Sequence, residues 1–156
     1  MSFRYQHSNI LNLKEKQKDQ AYSEYGQTVK KKEGMLEELH TYTQEREERL
    51  NVWEQSNRLT SVVEIQQRSQ YLQSLNLKIA RAQAGLDKVE KALQEKQHDF
   101  LEKKKEEQVW LHLRDQSYEM YLQKQKRAEQ DRLDEIATIR HYHQQLSRKN
   151  SGLMNN

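Results

Sequence analysis

Positions 22, 25, 29, 32, 36, 39, 43, 46, 50 and 53 hold Tyr, Tyr, Val, Lys, Leu, Leu, Thr, Arg, Leu and Trp. Seven of the ten are apolar or aromatic, at alternating spacings of three and four, which is the seam of a coiled-coil helix. Phe3, Ile10 and Leu13 carry the stripe upstream, with a slip of phase near residues 17–21. A second and stronger seam follows at 65, 72, 75, 79, 82, 86, 89, 93 and 100, which hold Ile, Leu, Leu, Ile, Ala, Leu, Val, Leu and Phe. The two stripes predict helix 1 over about 3–56 and helix 2 over about 62–146.

Between them lies "QSNRLTS", where Ser56, Asn57, Thr60 and Ser61 cluster as turn and cap formers. Ser61 and Glu64 have the S-x-x-E spacing of a capping box, a helix-start signal that makes sense only where an earlier helix has ended. The chain is expected to reverse over 57–61 and to form an antiparallel two-helix coiled-coil hairpin. A reversal centred near Leu59 pairs positions that sum to about 118: Trp53 with Ile65, Leu39 with Ile79, Leu36 with Ala82, Val29 with Val89 and Tyr25 with Leu93. One uninterrupted helix, some ~230 Å long at 1.5 Å per residue, is the alternative, and it would leave the capping box idle.

In this register Phe3 lies opposite residue 115, so 116–146 overhangs without a partner for ~45 Å. The overhang carries a stripe of Leu111, Tyr118, Leu122, Leu133, Ile136 and Ile139, and Phe100, Leu111, Leu122 and Leu133 recur every eleven residues. That period suits a straight or slightly right-handed helix. By contrast "KEKQKDQ" (14–20) and "EKKKEEQ" (102–108) each pass a full heptad without an apolar residue and partly face each other. The base of the hairpin is therefore expected to be loosely held. Gly26 and Gly34 within helix 1 each weaken it by roughly 1 kcal/mol relative to Ala.

Composition narrows the class. The 156 residues include no Pro, no Cys and four Gly, one third are charged, and mean hydropathy is −1.26. Too little is apolar for a layered globular core, while the spacing of what is apolar argues against disorder. The expected organisation is one coiled-coil domain over 1–149 and a flexible tail over 150–156. Net charge is +3, with 9 basic and 10 acidic residues in 1–56 and 18 and 14 in 57–156. Interspersed signs of this kind suit a solvated helix surface and not a nucleic-acid footprint. The opening has no signal-peptide run, and no stretch approaches the ~18 apolar residues of a membrane span, so no direct membrane insertion is expected.

Catalytic patterns are absent. His141 and His143 stand about 200° apart on a helix and cannot share a metal, and no HExxH or H-x-x-x-H occurs. His98 with Asp99 and His112 with Asp115 read as surface pairs. The glycines are scattered, the abundant carboxylates have no enclosing pocket, and the Lys runs 30–32 and 103–105 read as solvated faces. Trp110, Tyr118 and Tyr121 serve as readily in a seam as in stacking. The expectation is no enzyme, no cofactor and no metal. An unpaired apolar stripe on a marginal helix points instead to protein–protein contact.

Three stretches carry a resemblance. The opening "FRYQHSNILNLKEKQKDQAYSEY", the post-turn "SVVEIQQRSQYLQSLNLKI" and the close "EQDRLDEIATIR" resemble, in order, those of the FliJ family of the flagellar type III export apparatus. The resemblance spans nearly the whole chain. It implies a non-catalytic coiled-coil shaft, cytoplasmic and peripheral to the membrane at the flagellar base. Its implied partners are the hexameric export ATPase, the membrane export gate and unloaded export chaperones. Aligned on "QYLQSL", the family's gate-binding face falls on Tyr71, Leu75, Lys78 and Ala82, with Leu39 and Tyr42 close by. The seam claims Leu75 and Ala82 as well, and Tyr71 is the better placed for an exposed contact. The ATPase contact is expected on the overhang, at Tyr118, Leu122, Leu133, Ile136 and Ile139. The alternative is a generic structural or self-associating coiled coil.

Overall fold

The computed structural model describes residues 2–56 and 59–153. Among these there are two α-helices and no strand: α1 (Ser8–Gln55) and α2 (Val62–Leu153). Helix 1 starts five residues later than the pattern suggests, because residues 3–5 are not helical. At its far end α2 continues past 146 through the first part of the expected tail, while 154–156 lie outside the described residues. Asn57 and Arg58 of the expected turn also lie outside them. Ser61 caps α2 as its spacing requires, its Oγ accepting the Glu64 N–H at 3.2 Å and its carbonyl the Ile65 N–H at 3.0 Å. The Glu64 carboxylate accepts a bond from Arg68 one turn on.

Contacts gather into two units, one of Leu13–Glu107 and one of Met1–Asn12 with Gln108–Asn156. The first is the antiparallel hairpin. Most of its pairs sum to between 120 (Lys14 with Glu106, Glu24 with Lys96) and 125 (Lys18 with Glu107, Tyr25 with Phe100), above the expected 118, while Tyr71 with Glu45 near the reversal sums to 116. The difference has a local cause. The first turns of α2 run on unpacked, leaving Val62, Val63 and Ile65 exposed, so Trp53 meets Arg68 and Tyr71 instead of Ile65.

Leu75 (3% exposed) and Leu86 (5%) form the centre of the seam, with Ile79, Ala82, Val89, Leu93 and Phe100 half-buried. On α1 the expected Tyr25, Val29, Lys32, Leu39, Thr43, Leu50 and Trp53 are half-buried. Tyr22 and Leu36 are exposed, and Ala21 and Met35 turn inward beside them. At one point a glycine and a methionine meet across the seam. A Cβ on Gly85 would sit 3.5 Å from the Met35 thioether.

Gly26 and Gly34 have no such excuse, since a Cβ at either meets nothing within 4 Å. Gly26→Ala and Gly34→Ala should each stabilise the chain by about 1 kcal/mol and raise Tm by roughly 2–4 °C, read by thermal circular dichroism. A fall in Tm for both would contradict their open, helical placement.

The charged base of the hairpin is bridged by ion pairs between the arms. Lys14 Nζ donates to Glu106 Oε2 at 2.8 Å, and Lys18 Nζ lies 2.8 Å from Glu107 Oε2, with Glu107 only 8% exposed. Opposite charges fill the layer where apolar residues are missing. Farther along, Lys96 Nζ donates to Glu24 Oε2 at 2.7 Å.

Hydrogen bonds from Lys96 and Lys14, aided by lysine charge, hold the Glu24 and Glu106 carboxyls below the usual carboxylate range. Bonds to Glu107 and Glu24 hold Lys18 and Lys96 above theirs. A carboxyl with a lowered folded-state pKa contributes fully above the ordinary value of about 4.3 and loses that contribution as pH falls through the lowered one. The raised lysines contribute below about 10.4 and lose it only as pH rises beyond. Tm should therefore be level across neutral pH and fall in acid below about 4.3. Combining Glu24→Gln with Glu106→Gln should flatten the acid limb, and an unchanged limb would show that these pairs do not set it.

In the second unit, Tyr5 and Leu11 are buried, and Phe3 packs against Tyr118 and Tyr121 with ring centroids 5.1 and 5.4 Å apart. His7 meets the Trp110 ring edge-on at 6.0 Å. Phe3 thus reaches beyond position 115, and the unbroken exposure of α2 begins at Leu122, not at 116. From Leu122 to Leu153 every residue of α2 is exposed.

Candidate interaction surfaces

Three elements of the hairpin face combine at its middle. Tyr42, Lys78 and Ala82 line one shallow groove of about 310 Å³ with Met35, Arg81 and Gly85. Residues 78, 82 and 85 share a face of α2 by their spacing of four and three, and α1 supplies the opposite wall. Lys78 Nζ lies 5.7 Å from the Tyr42 ring centroid, a cation–π contact. The Tyr42 hydroxyl donates to Glu38 at 2.9 Å, and that negative neighbour holds its phenol above the usual range. The groove thus offers a tyrosine ring, the two cations of Lys78 and Arg81, and the Glu38 carboxylate.

Nearer the reversal, Tyr71 is the hub of a different cluster. Its hydroxyl donates to Glu45, which raises the phenol pKa. Arg49 stacks 5.5 Å from its ring, Trp53 meets it edge-on at 6.3 Å, and Arg68 lies 5.2 Å from the Trp53 ring. Positions 45, 49 and 53 of α1 are successive turns, as are 68 and 71 of α2, so both helices present these groups on one side. A pocket of about 260 Å³ opens between Arg49, Trp53, Gln67, Arg68 and Tyr71.

The six residues assigned to this face by resemblance therefore divide. Tyr42, Lys78 and Ala82 share the groove, Tyr71 belongs to the arginine–aromatic cluster, and Leu39 is half-buried. Leu75 is interior to the seam. Arg49, Trp53 and Arg68 are the residues that pattern reading missed. The i,i+4 spacing of Glu45, Arg49 and Trp53 was visible, but the pairing with Tyr71 depends on the register.

The other surface is the bare helix beyond Tyr121. Leu122, Leu133, Ile136 and Ile139 are exposed, as are Tyr142 and Leu146. Tyr118 is exposed at its rim while its ring faces Phe3. Residues 122–153 carry seven basic and four acidic side chains. The apolar positions thus lie in a field of excess positive charge.

Among the described residues no group of three or more His, Cys, Asp or Glu side chains could hold a metal ion, and no helix is long and apolar enough to cross a membrane.

Comparison with known proteins fixes the family. The family model for the flagellar FliJ protein matches residues 4–146. The chain belongs to the FliJ family. A relative, the flagellar FliJ protein of Bacillus subtilis (strain 168), is 27% identical over 140 residues, covering 88% of this chain and 94% of the relative. No solved structure matches this FliJ-family chain significantly. Membership makes it a component of the flagellar export apparatus, in a family that is not enzymatic.

Proposed function

We propose that the chain is a non-catalytic shaft of the flagellar type III export apparatus that engages the export ATPase ring with the bare part of α2 and the export gate with the middle of the hairpin. The observation that carries this reading is the uninterrupted exposure of residues 122–153, a helical stretch of about 48 Å at 1.5 Å per residue with an apolar stripe. An isolated helix of marginal stability that displays leucine and isoleucine to water is a surface to be covered by a partner. Leu122, Leu133, Ile136 and Ile139 carry the ATPase contact, with Tyr118 at its edge. Tyr42, Lys78 and Ala82 carry the gate contact, Tyr71 extends it, and Leu39 and Leu75 hold its backbone in place from within. Unloaded export chaperones are handled by the same molecule, which works in the cytoplasm against the membrane at the flagellar base.

Deleting 122–156 should abolish co-purification with the export ATPase while the remaining helical signal in circular dichroism stays proportional to length. Undiminished binding by the truncated chain would overturn the assignment. A second copy of the chain is the competing occupant of the stripe. Sedimentation of the isolated protein separates the two, since a stable dimer at micromolar concentration favours self-association and a monomer favours the shaft.

A further inference from the structure

We infer that the ion pair between half-buried Lys18 and buried Glu107 fixes the register in which the two arms of the hairpin unit meet, a choice that its apolar positions leave open. The seam residues of α2 recur every seven positions, so a shift by one heptad exchanges one apolar contact for another. Leu39, now near Ala82, would meet Leu75 or Val89 instead. The reversal does little to prevent such a shift. Val62, Val63 and Ile65 are exposed, so unwinding the first turns of α2 gives up the Ser61 cap and the Arg68 contacts but no packed core.

The remaining ion pairs between the arms discriminate less. A shift in one direction offers Glu24 a new partner in Lys103, seven residues beyond Lys96. In the other direction it offers Lys14 a new partner in Asp99, seven residues before Glu106. Lys32 would face Gln83 or Gln97, but its present contact with Glu90 is 3.7 Å long and partly exposed, and such pairs contribute little.

Lys18 with Glu107 differs on both counts. Shifted, Lys18 stands opposite Phe100, or Glu107 stands opposite Tyr25, and the carboxylate loses its cation. Its side chain is only 11% exposed, so an unpaired charge there is strongly disfavoured. A polar contact placed within a coiled-coil seam sets the register in this way, at some expense of stability.

The chain contains no cysteine, so two introduced cysteines label it without background. Exposed His40 and Lys91, offset along the axis, are suitable positions for spin labels and double electron–electron resonance on the full chain. The unmodified seam should give one distance. Lys18→Leu with Glu107→Leu should stay helical and add a second population in which one label has moved about 10 Å along the axis, seven residues at 1.5 Å each. Glu107→Lys should move most molecules out of the native register. The exchange Lys18→Glu with Glu107→Lys should restore the single native distance. A sole native distance in the double leucine variant would overturn the inference, and so would failure of the exchange to restore it in a chain that remains helical.

Discussion

Leu75→Ala should lower the unfolding free energy by about 2–4 kcal/mol, as truncation of a fully buried leucine does. Ile65→Ala should change it by less than about 0.5 kcal/mol, the range of exposed substitutions. Periodicity alone gives both residues the same seam role. Leu75 is 3% exposed and Ile65 is 56% exposed, so removing the first leaves a void between the helices while removing the second leaves water where water already was. A two-helix seam has few buried leucines to spare, so the first loss takes a large share of its stability. Urea titration followed by circular dichroism measures both as shifts of midpoint at constant slope. Equal shifts would mean that the arms pair at the earlier register, with Trp53 against Ile65. The same variant bears on the proposed gate surface. If Leu75 acts only from within, gate binding by Leu75→Ala should fall in step with the folded fraction and recover at low temperature.

Much of this architecture is legible in the sequence because the seams are periodic. Seven-residue recurrence from Leu72 to Phe100 locates one wall of the hairpin, and Ser61 with Glu64 locates its start. Where size and periodicity disagree, packing decides. Tyr22 and Leu36 are larger than Ala21, yet Ala21 is inside and they are exposed, because the register and not side-chain size decides which positions face the other arm. The charged base shows the converse. Seven polar residues in a row read as a gap in the seam, and the pairing of Lys14 with Glu106 and of Lys18 with Glu107 bridges that gap. Interaction surfaces are less legible for the same reason. The bare stripe is a property of one helix and can be read along the chain. The arginine–aromatic cluster at Tyr71 takes groups from both helices, and the register between them decides whether they meet at all.

Replacing Leu133 and Ile136 together by Glu should weaken binding to the export ATPase by at least about 100-fold and leave the unfolding midpoint of the free chain unchanged. Each large apolar side chain covered at an interface contributes about 1.5–3 kcal/mol, and about 1.4 kcal/mol is a factor of ten in Kd. Two such losses, before the added carboxylates are considered, reach two decades or more. The free chain gains nothing from these side chains, because both are already exposed. Exposed Glu is also as good a helix former as what it replaces, so the helix itself is not at risk. Arg127→Glu, on the same exposed stretch but outside the stripe, separates general charge from apolar contact. It should weaken binding by less than about tenfold, with most of the loss at low salt, where surface electrostatics is least screened. If Arg127→Glu does the damage and the stripe variant binds normally, the positive field and not the leucine–isoleucine stripe is what the partner recognises. If the stripe variant also lowers the midpoint of the free chain, those side chains are already covered in the unbound protein, and the bare helix does not exist in solution.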